Sequence, residues 1–407
     1  MLEALKIKVK HVGKPGWRDL LIYLATLHER GIHAPTRELP YLWEEVMPGG
    51  TGNAMCGHWD TVHMALDTLS AEPQHALYQV LNQLSLQTEE GLIPGHVWMQ
   101  DGELCWNSKI SCPPLWPVVV QDYIEQTGNI GAIPKVWKAL TKQIGWFEKY
   151  RKADEQGFYY LDILDRFWES GVEEGARYDI SDEFPDDLGC VDASAHMFLL
   201  YDFAARWAAV IGEPASPWEA KRTILRHWIQ NELFDEEQGI FLDQWQVGKQ
   251  TSTATIPFEG LWPVIVGAAS SAQAQRVINE QLLNPMRFCS EHPVTSLSLD
   301  STEFTCHYWR GPTRNSQTYW AARACLRYGR LDAAALLLEK ALDMTAFHYA
   351  DSGTIWEFYH PRGDRPMKCT RPLHGQSGEL GSPYKDHLGH NPLVAMAEMW
   401  SAIQSQV

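Results

Sequence analysis

Four stretches of the chain gather carboxylates, tryptophan, tyrosine and arginine in varying mixtures, the third without a carboxylate of its own. They are His58-Trp59-Asp60, the run Trp168-Glu169-Ser170-Gly171-Val172-Glu173-Glu174-Gly175-Ala176-Arg177-Tyr178, then Tyr308-Trp309-Arg310-Gly311-Pro312, and Trp356-Glu357-Phe358-Tyr359. Hydrolysis of a glycosidic bond needs two carboxyl groups on opposite sides of a sugar. One is protonated and assists the leaving oxygen; in the inverting form the other activates a water, with about 6.5–9.5 Å between them. Aromatic walls suit the acid, because withholding water raises its pKa. The same residues admit a plainer reading. Glu169 and Glu173 stand three and four positions from Arg166 and Arg177, the spacing of ion pairs along a helix surface.

Composition frames both readings. The 407 residues include 18 Trp, 15 Tyr and 13 Phe. Large amphipathic rings suit the apolar faces and hydroxyl rims of sugars, and they equally suit a Trp-rich core. A net charge of −17 argues against a nucleic-acid partner and against anionic membranes. The N-terminus lacks a signal-peptide core, and no apolar run is long enough to span a bilayer, so a cytoplasmic protein is expected. Eight cysteines, none in a CxxC, read as buried reduced thiols. The Gly-Thr-Gly-Asn run at 50–53 is too short for a phosphate loop, and neither GxSxG nor HExxH occurs. His387 and His390 form a His-x2-His pair amid Gly and Pro, and no metal or cofactor is expected from it.

The elements that must position these groups are mostly helical. Met197, Leu200, Tyr201, Ala204, Ala208 and Ile211 recur at steps of three and four, then Gly212 and Pro214 end the pattern. Similar patterns predict helices over 20–27, 61–68, 74–87, 116–127, 133–150, 217–233, 273–282, 317–328, 332–344 and 392–403. Gly-, Pro- and Trp-bearing loops intervene at 46–58, 91–111, 179–188, 235–259 and 359–386. No linker divides the chain, so residues 1–407 are expected to form one all-α catalytic domain, its hairpins closing into a ring with long loops at one mouth.

The four motifs, in this order, resemble glycoside hydrolase family 63, which is related to the trehalases. Trp168 to Arg177 is similar to that family's W-E-S-G-x-D-N-S-x-R, Tyr308 to Pro312 to its Y-W-R-G-P, and Trp356 to Pro361 to its E-x-Y-x-P; Gly57 to Asp60 is similar to its L-W-D. The resemblance covers nearly the whole chain. It implies a barrel of six helical hairpins and an inverting α-glycosidase, with Glu357 as general base and Glu173 at the general-acid position. It implies sugar binding by Asp60, a pocket lined by Trp59, Trp168, Tyr308, Trp309, Arg310 and Gln317, and Arg177 orienting the acid. The chain departs from the pattern in three places. Glu173 replaces an aspartate and Glu174 an asparagine, so the pocket must shift to fit Glu173, or Asp186 or Asp187 must substitute for it, or hydrolysis is lost. Asp386-His387-Leu388-Gly389-His390-Asn391-Pro392 stands where the family shows S-W-T-A-A. An insert over 362–385 is expected to cap the aglycone side. The compact size is similar to the small bacterial hydrolases acting on mannosylglycerate or glucosylglycerate. That makes a short α-linked glucoside or mannoside the expected substrate, with Arg310, Arg314 or Arg371 meeting an anionic aglycone or else supporting local acids.

Two rival readings remain at this stage. A sugar epimerase or isomerase of the helical-barrel class would use His58, His196, His307 or His387 as acid and base. A non-catalytic carbohydrate-binding protein would keep the aromatic pocket alone.

Overall fold

The computed structural model describes residues 1–49, 55–153, 156–164, 168–179, 188–248, 255–373 and 379–406. Among them run thirteen α-helices: α1 (Glu3–Lys8), α2 (Arg18–Arg30), α3 (His58–Leu69), α4 (Pro73–Ser85), α5 (Trp116–Thr127), α6 (Ala132–Tyr150), α7 (Val191–Ile211), α8 (Ser216–Glu232), α9 (Trp262–Val266), α10 (Ser271–Arg276, continuing as a π-helical turn Val277–Leu282), α11 (Asn315–Arg327), α12 (Leu331–Ser352) and α13 (Leu393–Gln404). From α2 onward they alternate between an outer and an inner ring, giving a barrel of six helical hairpins.

Composition sorts the two rings. Eleven of the 12 residues of α3 and 16 of the 21 residues of α7 are buried, the polar His63, Asp67 and Thr68 of α3 among them. The outer α8 buries only Leu225, Trp228 and Ile229. Tryptophan hydrogen bonds tie the inner helices to one another. Trp320 Nε1 of α11 donates to His63 Nε2 of α3 at 2.8 Å, and Trp207 Nε1 of α7 to Gln121 Oε1 of α5 at 3.0 Å. Closure joins the two ends of the chain. The Ala395 amide of α13 donates to Asp67 of α3 at 2.8 Å, and Trp17 Nε1 reaches Asp343 of α12 at 2.7 Å. Much of the Trp excess is core: Trp17, Trp116, Trp207 and Trp262 are fully buried.

The inner helices all begin at one mouth. Trp59, near the start of α3, packs edge-on against Trp262 at the start of α9, with ring centroids 5.9 Å apart. Ser111 precedes α5 and binds the Trp168–Gly175 turn, Asp192 opens α7 beside Arg177, and Ser316 of α11 meets His390 just ahead of α13.

Periodicity located the helices well, with three exceptions. The helices α1 and α9, of six and five residues, are too short to show a repeat, and α12 runs on past Met344 until Gly353 takes the left-handed conformation that ends it. The expected loop over 91–111 instead holds a hairpin, His96–Gln100 with Glu103–Trp106, turned by Asp101-Gly102 and paired on its other edge with Met55–Gly57. Asp101 and Gly102 both have positive φ, the combination that a two-residue hairpin turn favours. No helix of the described residues is long and apolar enough to cross a membrane.

Candidate active site

The Trp168–Gly175 segment is a turn, not a helix, so the ion-pair reading of Glu169 and Glu173 does not hold. Glu169 is fully buried. It accepts from Arg151 Nε and Nη2 at 2.6 and 2.9 Å, from the Ser111 amide at 3.0 Å and from the Leu161 amide at 2.7 Å. Asp162 accepts from the Ser170 amide and hydroxyl, each at 2.9 Å. These two carboxylates pin the turn, and Val172 packs into a small core with Tyr308, Trp309 and Phe358. Arg166 lies outside the described residues, as do Asp186 and Asp187.

Glu173 is thereby presented to the mouth. Its Oε2 accepts from Trp309 Nε1 at 2.8 Å and from the Tyr308 hydroxyl at 3.3 Å. Burial pushes its pKa above the ordinary value, against the opposing pull of Trp309, Arg314 and Arg371. Glu357 arrives from another direction. Its strand-like segment is sandwiched by Thr313, which exchanges backbone hydrogen bonds with Tyr359, and by Tyr384, whose carbonyl accepts from the Glu357 amide. Its Oε2 accepts from Arg371 Nη1 at 2.5 Å and from the Tyr384 amide at 3.2 Å. Burial raises its pKa, but Arg371, His387 and Arg314 outweigh burial and hold it below the ordinary value.

Arg371 and Arg314 act on both carboxyls. The Arg371 guanidinium lies over the rings of Tyr384 and Tyr308 at 3.9 and 5.0 Å. Arg314, fully buried, stacks on Trp309 at 3.2 Å and on Phe358 at 4.7 Å; desolvation lowers its pKa to about 10 although Glu357 and Glu173 pull it upward. Asp60, in the first turn of α3, completes the acidic set. Burial, with Glu173 and Glu357 nearby, raises it to about 7. Glu174, Tyr308 and Asp386 have positive φ, and strained backbone of this kind gathers where side chains must be aimed.

The remaining predicted residues divide. Trp59 is buried behind the turn, edge-on to His63 and Trp262. Trp168 is 36% exposed at the rim and packs against His96. Gln317 is buried in α11, its carboxamide oxygen unbonded. Arg310, with 17% of its side chain exposed, pairs with Asp179. One assignment needs correction. Arg177 does not orient Glu173. It pairs with Asp192 at 2.7 Å, with Asp243 at 3.4 Å and with Glu259 at 3.7 Å, because three buried carboxyls attract it more strongly than one.

The 362–385 insert delivers Arg371 and Tyr384 to Glu357, so Arg371 serves a local acid. The histidines expected for an epimerase do not pair with one another: His196 bonds Tyr160 at 2.7 Å, His307 meets Glu174 at 3.2 Å, His387 stacks on His390, and the ring nitrogens of buried His58 have no hydrogen-bond partner among the described residues. Sequence reasoning missed His390, although its His-x2-His spacing was visible. His390 sits edge-on to Trp309 at 5.6 Å and its Nε2 is 4.0 Å from Asp60. Among the described residues, the one cluster with metal-ligand spacing is Cys190, Asp192 and Asp243, into which Arg177 already projects.

The chain resembles known proteins in sequence and in fold. Residues 56–377 match the model of the mannosylglycerate hydrolase MGH1-like glycoside hydrolase domain. The chain is 22% identical over 409 residues to mannosylglycerate hydrolase MGH1 of Selaginella moellendorffii, covering 83% of this chain and 79% of that protein. Its fold is similar to the family 63 mannosylglycerate hydrolase of Thermus thermophilus solved with glucose, with a TM-score of 0.70 and 17% identity over 93% of this chain and 99% of that one. It is also similar to neutral trehalase Nth1 of Saccharomyces cerevisiae, with a TM-score of 0.61 and 13% identity over 92% and 78%.

Proposed function

Since the chain belongs to the mannosylglycerate hydrolase MGH1-like glycoside hydrolase family, we propose that it hydrolyses a short α-linked glucoside or mannoside with inversion, Glu173 acting as general acid and Glu357 as general base. The observation that carries this reading is the opposite displacement of the two carboxyls, Glu173 upward and Glu357 downward. A pair of acids whose surroundings separate their pKa values is ready for two different proton roles at one pH.

Each carboxyl is held by one oxygen. Trp309 and Tyr308 grip Oε2 of Glu173, and Arg371 with the Tyr384 amide grips Oε2 of Glu357. Each Oε1 has no hydrogen-bond partner among the described residues. In the reaction, Glu173 gives its proton to the glycosidic oxygen, and the Trp309 and Tyr308 donors then stabilise the carboxylate left behind. Glu357 takes a proton from the water attacking the anomeric carbon on the opposite face. Asp60 and the Trp309 edge hold the sugar between them. The grip on Oε2 also answers the longer side chain of Glu173, since donors placed for a glutamate restore the positioning that an extra methylene would disturb.

The names of the relatives point to a glycosylglycerate or similar small glycoside, handled by one helical-barrel domain. The test is a screen of α-linked disaccharides, mannosylglycerate and glucosylglycerate, with the released sugar read by NMR. The β-anomer is expected first; initial release of the α-anomer overturns inversion, and turnover of none of them overturns the substrate class.

A further inference from the structure

From the geometry around Asp60 we infer that His390 is a specificity-determining residue: together with Asp60 it reads one hydroxyl of the bound pyranose. The inference rests on the hydrolase reading and extends it to a residue in the segment where this chain departs most from its family's pattern.

The 386–391 loop is bonded on every side. The Gly389 carbonyl accepts from His63 Nδ1 at 2.6 Å, the Asn391 carboxamide donates to Trp356 O at 2.9 Å and to His387 O at 2.7 Å, and the Asp386 amide reaches Ile355 O at 2.7 Å. Gly389 is required there, because a methyl group in its place would collide with the Asp60 carboxylate. The loop therefore presses directly on Asp60 and sets where His390 stands.

His390 is then oriented from behind. Ser316 Oγ lies 2.9 Å from Nδ1. With the serine hydroxyl donating there, the ring hydrogen sits on Nε2. His387 stacks on the ring with centroids 5.2 Å apart and an interplanar angle of 12°, and Trp309 abuts it edge-on at 5.6 Å. Nε2 faces Asp60 Oδ1 across 4.0 Å, with 8% and 13% of the two side chains still exposed. That gap is too long for a direct hydrogen bond and suits one bridging oxygen, since two bonds of about 2.8 Å meeting near a right angle span it. A sugar hydroxyl can accept from His390 Nε2 and donate to Asp60 Oδ1 at once. Its loss would leave two mostly buried polar groups unpaired, which is how a site discriminates strongly between a hydroxyl and a hydrogen.

The test pairs side-chain removal with substrate deoxygenation. The 4-nitrophenyl α-D-glucoside and α-D-mannoside and their 2-, 3-, 4- and 6-deoxy forms are assayed on the wild type, His390→Ala and His390→Gln. At one ring position the two losses are expected to be non-additive. Each alone lowers kcat/KM by about 10- to 100-fold, and His390→Ala costs less than about threefold on the substrate already lacking that hydroxyl. His390→Gln, which keeps a donor, recovers part of the loss. Additive losses at every position overturn the inference. If the wild type turns over none of these glycosides, that bears on the hydrolase reading alone. The same comparison is then read from the Kd of the free monosaccharides by calorimetry, where additivity, or binding of none, overturns the role of His390.

Discussion

Two buried ionic clusters share the mouth of the barrel, and a single sequence motif feeds both. Glu173 and Arg177 are four residues apart, yet Glu173 joins Glu357, Asp60, Arg314 and Arg371, while Arg177 joins Asp192, Asp243 and Glu259. In the first cluster the two cations stand against Glu357 and the Trp309 face, so one acid is depressed and another is raised. In the second cluster one cation faces three acids, so burial is under-compensated. Asp243 is pushed to about 6 and Glu259 to about 8, desolvation leading in both cases. The first arrangement separates proton affinities. The second clamps α7, the loop at Asp243 and the turn just before α9 together. Perturbed carboxyls alone therefore do not identify an active site; a pair displaced in opposite directions is the stronger sign.

Substitutions can break this contrast, and the largest effect belongs to the first cluster. Glu357→Gln keeps the shape and removes the base, so kcat should fall by about 10³-fold or more with ligand affinity retained; near-normal turnover would remove Glu357 from the reaction. Next, Glu173→Gln should cost about 10²-fold on an unactivated glycoside and far less on a 4-nitrophenyl glycoside, whose leaving group needs no proton. Equal losses on both would make Glu173 a structural residue.

Arg177→Met should act on stability instead. Stranding the buried carboxyls of Asp192 and Asp243 costs about 3 kcal/mol, read by denaturant unfolding, and the kcat of the folded fraction should change little. A large loss of kcat without a loss of stability would merge the two clusters into one functional unit.

The smallest effect sharpens the contrast through pH. Folded Glu259 keeps its proton up to about 8, against an ordinary value of 4.5. Between those values the folded state binds more protons than the unfolded chain, so stability falls as pH rises through that window. Glu259→Gln should flatten this slope, as measured by unfolding at a series of pH values. An unchanged slope would show that Glu259 ionises as it does in the unfolded chain.

Local chemistry determined a good deal of this protein. Apolar residues at steps of three and four marked most of the helices, because an amphipathic face is written in neighbouring residues. Gly212 marked the end of α7. The four motifs picked out Glu173, Glu357, Asp60, Tyr308 and Trp309, since each motif carries its chemistry within a few positions. The tertiary structure decided everything that depends on partners far along the chain. It sent Arg177 to Asp192, 15 residues away, and not to Glu173. It brought Arg371 out of an insert to Glu357, and it set His390 beside Asp60, whose loop and helix are separated by most of the chain. Electrostatic partnership is settled by distance and burial once the ring has closed, and neither quantity is a property of a short run of residues.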